Sequence, residues 1–388
     1  MLFRSANWRV VNRATTLGLL STLLLCCAVE AQSRGDAESG SQFEIVQRST
    51  VYKHPSSDPY DPANHYGFNH APSVVRLADG RLLTAWFSGP YEASVNQVIL
   101  GSYSSDQGDT WSSATVFQDF PHESDFDPAF IADGKRTWFF FSSGRWIRWP
   151  FLKDQEHKVG LPSFSLYSRY SDDGGNTWSR PESVEKQLFC RSNGIRLSSG
   201  ELLLPVYRTV NNEDRSAVLR STDRGKTWSV SGDIHTPADA DEPSIAELKS
   251  GDVLMILRTH DGFLWRTVSQ DKGKTWAAPQ KTSMVAPSSS HNIFRLQDGR
   301  LLLANNESPE RRTPLTLRAS GDNGANWSGP LTLAEAAIST DGAVWDSQVS
   351  YPSVAELGDG SVLVVWSEIV LGDAEQYGNI QAARVKLK

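Results

Sequence analysis

An eight-residue pattern, S-x-D-x-G-x-T-W, returns along this chain at intervals of roughly fifty residues, and a period of that size marks a propeller or a solenoid. It reads SSDQGDTW from Ser104, SDDGGNTW from Ser171, STDRGKTW from Ser221, SQDKGKTW from Ser269 and, in degenerate form, SGDNGANW from Ser320. A second signal, a small turn followed by an apolar strand, occurs six times: DGRLLTAWF from Asp79, DGKRTWFFF from Asp133, SGELLLPVY from Ser199, SGDVLMIL from Ser250, DGRLLLAN from Asp298 and DGSVLVVW from Asp359. Each unit therefore reads as strand, Gly turn, strand, loop, third strand, Asp-containing hairpin and short fourth strand. Four antiparallel strands in each of six units predict an all-β, six-bladed β-propeller. The sixth unit has no hairpin of its own, so the segment Phe43–Tyr52 is expected to supply its fourth strand and close the ring.

The hairpin motif explains itself physically. Its Asp can accept hydrogen bonds from turn N–H groups, its Gly can take positive φ, and its Trp can pack between blades. Asp106, Asp173, Asp223, Asp271 and Asp322 are thus expected to be structural staples, since one motif repeated around a ring does not build a single site.

The ends of the chain add a domain plan. Arg4, Arg9 and Arg13 precede a short apolar run from Leu17 to Ala28 and a small-residue end at Ala31, the pattern of a secretory signal peptide over residues 1–31. The run is too short to span a bilayer comfortably. Cys26 and Cys27 leave a lipid-attached variant open, although Leu24 and Leu25 do not supply a small residue before the cysteine. Residues 32–42 read as a flexible polar tether and residues 43–388 as the propeller. Without residues 1–31, Cys190 is the one remaining cysteine, so a secreted or periplasmic product would fold without an internal disulfide. The formal charge is -7, and removing three arginines and Glu30 takes it to about -9, with no basic run downstream; nucleic acid is excluded as a natural partner. A monomer with no membrane span is expected.

In a propeller the innermost strands start near the channel mouth, so equivalent strand starts converge on one funnel. Those positions read Asn69-His70-Ala71-Pro72, Asp125-Phe126-Asp127-Pro128, Arg191-Ser192-Asn193, Asp241-Glu242-Pro243, Ser290-His291-Asn292 and Ser350-Tyr351-Pro352. They are polar although each precedes an apolar strand, which makes the ring a better site candidate than any single motif. Arg208 and Arg258 end the next strands, and Glu307, Arg311 and Arg312 follow in the fifth unit. Cations facing carboxylates in an acidic protein suit an anionic sugar.

The five motifs resemble the Asp boxes of sialidases and their relatives, over nearly the whole mature chain. The resemblance implies a six-bladed fold, no cofactor, and a Tyr nucleophile assisted by a Glu, a pairing that avoids repulsion at an anomeric carbon bearing a carboxylate. Tyr351, in SYPSVAELGDG, resembles that tyrosine and Glu242 its partner; Arg258 and Arg312 resemble carboxylate-binding arginines, with Arg208 a further candidate. Asp127 is similar to the family's Asp-Pro position near the sugar, and Glu368 stands where a supporting carboxylate is expected.

Two departures stand out. The family's first blade begins Arg-Ile-Pro, whereas this chain has His70-Ala71-Pro72, and the family's acid is an Asp on the first-blade loop, where SGPYEASVNQ offers Glu92, with Asp127 the other candidate acid. His70 is then either a partly protonated carboxylate ligand or an acid or base of a different reaction, with His291 at the matching position of the fifth unit. Both histidines could also simply hydrogen-bond the channel lining. No zinc site is expected, since His65 and His70 are five apart with no further ligand spacing; Asp/Asn-rich loops leave a structural calcium open, although no EF-hand pattern is present. The insertion Gly144–Phe164, rich in Trp and basic groups, reads as a lid or sugar-stacking wall. The expected activity is exo-hydrolysis of a terminal acidic sugar from a glycan. The alternatives are a lyase or histidine-based glycosidase acting on uronic-acid glycans, and a glycan-binding propeller without turnover.

Overall fold

A computed structural model describes residues 42–55, 66–145, 163–337, 347–371 and 376–388, with the side chains of residues 371 and 376 left aside. The signal-peptide segment, nearly all of the polar tether, His65 and most of the Gly144–Phe164 insertion fall outside the described residues. Six antiparallel sheets follow one another in chain order, and together they form a six-bladed β-propeller.

Blade 1 comprises Phe68–Arg76, Leu82–Gly89, Val98–Ser104 and Thr115–Gln118; blade 2 comprises Ser124–Asp133, Arg136–Arg145, Ser163–Ser171 and Glu182–Lys186. Blade 4 starts at Asp241–Glu247 and blade 5 at Asn292–Arg295. In blade 6, Gln348–Glu356, Val362–Leu371 and Gln376–Leu387 are completed by Phe43–Tyr52, which runs antiparallel to the last strand from Phe43↔Leu387 to Tyr52↔Ile380. The N-terminal strand thus closes the ring, as the missing sixth hairpin required. Blade 3 differs from the simple reading, because its inner strand is split into Phe189–Cys190 and Ile195–Arg196, both paired with Leu202–Val210.

Strand alternation builds the core. Along Leu202–Val210, Leu202, Leu204 and Val206 pack with blade 2 residues such as Ile131 and Phe140, while Leu203 packs with Ile245 and Met255 of blade 4. Each blade so feeds two interfaces, and six apolar clusters occupy the six junctions. At the closing junction the Asn69 carboxamide accepts from Trp86 Nε1 and Ser88 Oγ, both at 2.8 Å, and donates to the Gly378 carbonyl at 2.9 Å. A Cβ on Gly378 would lie 2.4 Å from the Asn69 carbonyl oxygen, so this approach of two backbones requires glycine.

All five Asp boxes have one construction. The Asp Oδ1 accepts the N–H of the residue four positions on at 2.8–2.9 Å and the hydroxyl of the Ser two positions back at 2.8–2.9 Å; that Ser oxygen accepts the Gly N–H. These local hydrogen bonds hold each of the five carboxyls down at about 2. The carboxylates serve their own hairpins.

Candidate active site

Four inner strands carry the same irregularity. The ladder slips between His70 and Ser73, Phe126 and Ala129, Asp241 and Ser244, and Ser350 and Ser353. Inside each bulge one residue takes positive φ directly before a proline: Ala71 (55°), Asp127 (54°), Glu242 (37°) and Tyr351 (59°). A left-handed residue costs about 1–3 kcal/mol, and the residue before proline normally avoids helical angles, so the repetition of this strain marks a functional rim. Three of the four positions hold ionisable side chains. In blade 1 the equivalent residue is Ala71, and His70 stands one place earlier, in register with Phe126, Asp241 and Ser350.

These bulges bring Tyr351, Glu242 and Arg258 together. The Tyr351 hydroxyl donates to Glu242 Oε1 at 3.0 Å and accepts from Arg258 Nη1 at 3.0 Å. Arg258 Nη1 also lies 2.6 Å from Glu242 Oε2, and both side chains are nearly buried. Burial, acting first, raises the Tyr351 pKa above its usual value despite Arg258, so the resting phenol is neutral. The arrangement holds a neutral hydroxyl, a carboxylate able to receive its proton and a cation able to stabilise the oxygen left behind.

Arg312 reaches this group from the fifth blade. Its guanidinium lies 5.2 Å from the centre of the Tyr351 ring, and it donates to Gln348 Oε1 at 3.2 Å and to the Ser288 carbonyl at 3.0 Å. Glu307 instead serves blade 5, where Arg318 Nε meets it at 2.6 Å.

Asp127 is buried and its pKa is raised well above the carboxylate range, by burial first and then by Glu242. Glu92 is solvent-accessible at the rim while protein crowds it closely enough to raise its pKa; the charges of Arg312, Glu242 and Arg258 also act on it. Its loop is tied down by Gln97, whose Oε1 accepts from Ala93 N–H at 2.9 Å and whose Nε2 donates to the Asp125 carbonyl at 3.0 Å. A carboxyl with a raised pKa, on a braced loop within electrostatic reach of Tyr351, is equipped to donate a proton.

The His70 ring lies 4.1 Å from the Tyr351 ring, centroid to centroid, tilted by 51°. Burial, then Arg312, Arg191 and Arg258, push its pKa well below the usual value, which favours the neutral imidazole. Its Nδ1 is buried without a hydrogen-bond partner. His291 lies in the channel lining, where burial lowers its pKa to about 4.

Two further expected residues, Arg208 and Glu368, lie on the second strands of blades 3 and 6. Arg208 follows Tyr207 on the second strand of blade 3, and successive strand residues point to opposite faces. Tyr207 is the one that feels Asp127, Glu242, Asp241 and Tyr351, whereas the arginines acting most strongly on the cluster are Arg312, Arg191 and Arg258. Glu368 is held by its own blade, accepting from Asn379 Nδ2 at 3.0 Å and Gln381 Nε2 at 2.8 Å.

Arg191 is the addition that sequence reasoning placed on the ring but gave no role. Fully buried, it donates to the Pro72 and Tyr351 carbonyls, both at 3.2 Å, and its guanidinium lies 5.0 Å from the Tyr351 ring centre. It bridges blades 1, 3 and 6 beneath the tyrosine. The polar start of blade 3 was its signal.

Among the described residues one group has metal-ligand composition, Asp214, Asp241 and His260, whose ligand atoms lie within 4.8 Å of one another. Arg258 Nε, 3.4 Å from Asp241 Oδ1, already supplies a cation there. No described helix is long and apolar enough to cross a membrane.

Comparison with known proteins fits this geometry. A family model described as BNR repeat-like domain matches residues 80–364. A sialidase of Paraclostridium sordellii is 27% identical over 237 residues, covering 53% of this chain and 56% of that protein. An anhydrosialidase of Macrobdella decora is 31% identical over 140 residues, covering 33% of this chain and 18% of that protein. The chain thus spans little more than half the length of the first of these relatives and less of the second. Among solved structures, a Dyadobacter fermentans protein of unknown function superposes with a TM-score of 0.72 at 21% identity, covering 90% of this chain and all of that one. The NanB sialidase of Streptococcus pneumoniae superposes with a TM-score of 0.67 at 15% identity, covering 87% and 71%.

Proposed function

The chain belongs to the BNR repeat-like domain family, and from that premise we propose that it is an exported, monomeric, sialidase-like exo-glycosidase that releases a terminal acidic sugar from glycans without a cofactor. One observation carries the reading: the Tyr351 hydroxyl lies between Glu242 Oε1 and Arg258 Nη1, at 3.0 Å from each.

In the first half-reaction Glu242 takes the hydroxyl proton as the Tyr351 oxygen bonds to the anomeric carbon. The glycosidic C–O bond breaks, and Glu92 gives its proton to the leaving oxygen. In the second, the Glu92 carboxylate takes a proton from water, the water oxygen bonds to the anomeric carbon, and Tyr351 leaves with the proton held by Glu242. Arg258 and Arg312 hold the sugar carboxylate, and Asp127 meets a ring hydroxyl. A neutral nucleophile beside two arginines suits a substrate whose reacting carbon bears a negative group.

A second reading rests on His70. A buried neutral imidazole with an unpartnered Nδ1, in tilted contact with a tyrosine, is a competent base for elimination from a uronic-acid residue. A turnover screen of the full chain and Tyr351→Phe on sialosides, uronosides and acidic polysaccharides separates the readings. Released acidic sugar that vanishes in Tyr351→Phe supports hydrolysis; an ultraviolet-absorbing unsaturated product that needs His70 supports elimination; binding without turnover of any of them contradicts both.

A further inference from the structure

The two arginines beside Tyr351 share one anchor. Ser288, in the loop leading to blade 5, accepts on its hydroxyl oxygen from Arg258 Nε at 3.2 Å and Nη2 at 2.9 Å, while its carbonyl accepts from Arg312 Nη2 at 3.0 Å. Behind it stands His260, whose Nδ1 is 3.2 Å from the same hydroxyl and whose Nε2 is 3.8 Å from Asp241 Oδ2. Asp241 closes the circle, its Oδ1 lying 3.4 Å from Arg258 Nε.

Proton accounting fixes the direction of these contacts. A serine oxygen has two lone pairs and one hydrogen. Both lone pairs face Arg258, so the hydrogen goes to His260 Nδ1, which must be the unprotonated nitrogen, and the imidazole proton sits on Nε2 toward Asp241. A proton added at Nδ1 would meet an oxygen with no acceptor capacity left, and Ser288 could receive it only by giving up a hydrogen bond from Arg258.

We propose that Ser288 and His260 are positioning residues that hold Arg258 and Arg312 as a matched pair for one carboxylate, and that protonating His260 loosens the pair. This rests on the acidic-sugar reading of the same site and adds its regulation by pH. The charged groups facing His260 from the surrounding segments are Asp241, Arg258, Asp239 and Asp214. Asp241, 3.8 Å from Nε2, raises the His260 pKa above its ordinary value. Acidification that protonates Glu92 or Asp127 would favour an anion instead, and the two effects have opposite signs.

The test has two readouts on the full chain. The first is calorimetric binding of free sialic acid and of glucuronic acid between pH 8 and pH 5.5. The wild type should lose at least about fivefold in affinity on acidification, His260→Asn, whose amide oxygen can accept from Ser288, should abolish that loss, and Ser288→Ala should weaken binding at every pH, with recovery in Ser288→Thr. The second is the Arg258 Nε–H resonance, which needs no ligand: it should broaden in Ser288→Ala, persist in Ser288→Thr and follow the His260 titration. An Arg258 signal indifferent to both Ser288→Ala and pH overturns the proposal. An Arg258 signal that responds as expected, with no sugar acid bound, upholds the positioning role and overturns the acidic-sugar reading alone.

Discussion

The Asp boxes and the funnel mouth are made of similar residues, Asp, Ser and Gly among them, arranged around the same pseudo-symmetric ring, yet their polar groups are in opposite states. At Asp106 both carboxylate oxygens are satisfied from within the hairpin, and the pKa is held at about 2. At the mouth, burial pushes Asp125 up to about 7 and raises Asp127 well above the carboxylate range, while His70 Nδ1 has no partner. A polar group whose hydrogen bonds are complete within its own turn holds the structure; one buried at a cost, with capacity left over, awaits a ligand.

The largest expected effect tests the mouth. Tyr351→Phe should lower turnover by at least about 10³-fold, roughly 4 kcal/mol of barrier, with an unchanged melting curve. A drop of less than about tenfold would place the nucleophile elsewhere.

Next in size is Arg258→Ala, which strands Glu242 and Asp241 as buried carboxylates without their cation. Losing one partner of a buried pair costs about 3–5 kcal/mol, and chemical denaturation should record that loss together with weaker binding of acidic sugars. The comparison breaks if stability is untouched.

Gly225→Ala probes the staple side alone. Gly225 has φ 78°, and a Cβ there would lie 2.1 Å from Trp138 Cζ2, so destabilisation of about 2–3 kcal/mol is expected. The folded fraction should keep its kcat/KM. A selective loss of kcat would couple the hairpins to the chemistry.

The smallest effects separate the regions by pH. The depressed Asp106 contributes stability that is complete above the ordinary carboxylate pKa of about 4 and is lost as pH falls through about 2. Asp125, with its raised pKa, contributes stability that is complete below about 4 and is lost as pH rises through about 7. Melting temperatures against pH should therefore lose part of their acid-side fall in Asp106→Asn and part of their decline toward neutrality in Asp125→Asn. Identical profiles for the two variants would contradict the distinction.

Most of the scaffold was legible because repetition made it so. Asp boxes and Gly turns gave the blade count, and the missing sixth hairpin pointed to Phe43–Tyr52 as the closing strand. The rim was partly legible: polar residues before apolar strands marked Asp127, Glu242 and Tyr351, but not the bulge that turns them inward, since that depends on pairing with the next strand. Arg208 and Tyr207 are neighbours on one strand, so strand parity, not sequence position, decides which of them faces the cluster. The partners of Glu368, Asn379 and Gln381, were not legible because they come from a strand ten residues or more away. Ser288, in the featureless run Pro287-Ser288-Ser289-Ser290, carried no signal at all; its role comes from two arginines that converge on it from different blades.

Trapping the covalent intermediate tests the central claim most directly. The full chain would be incubated with an acidic-sugar fluoride fluorinated beside the anomeric carbon, digested and mapped by mass spectrometry. The account predicts one added sugar on the peptide containing Tyr351, absent from Glu242→Gln at short times. A label on any other residue, or turnover of substrate with no label at all, would contradict it.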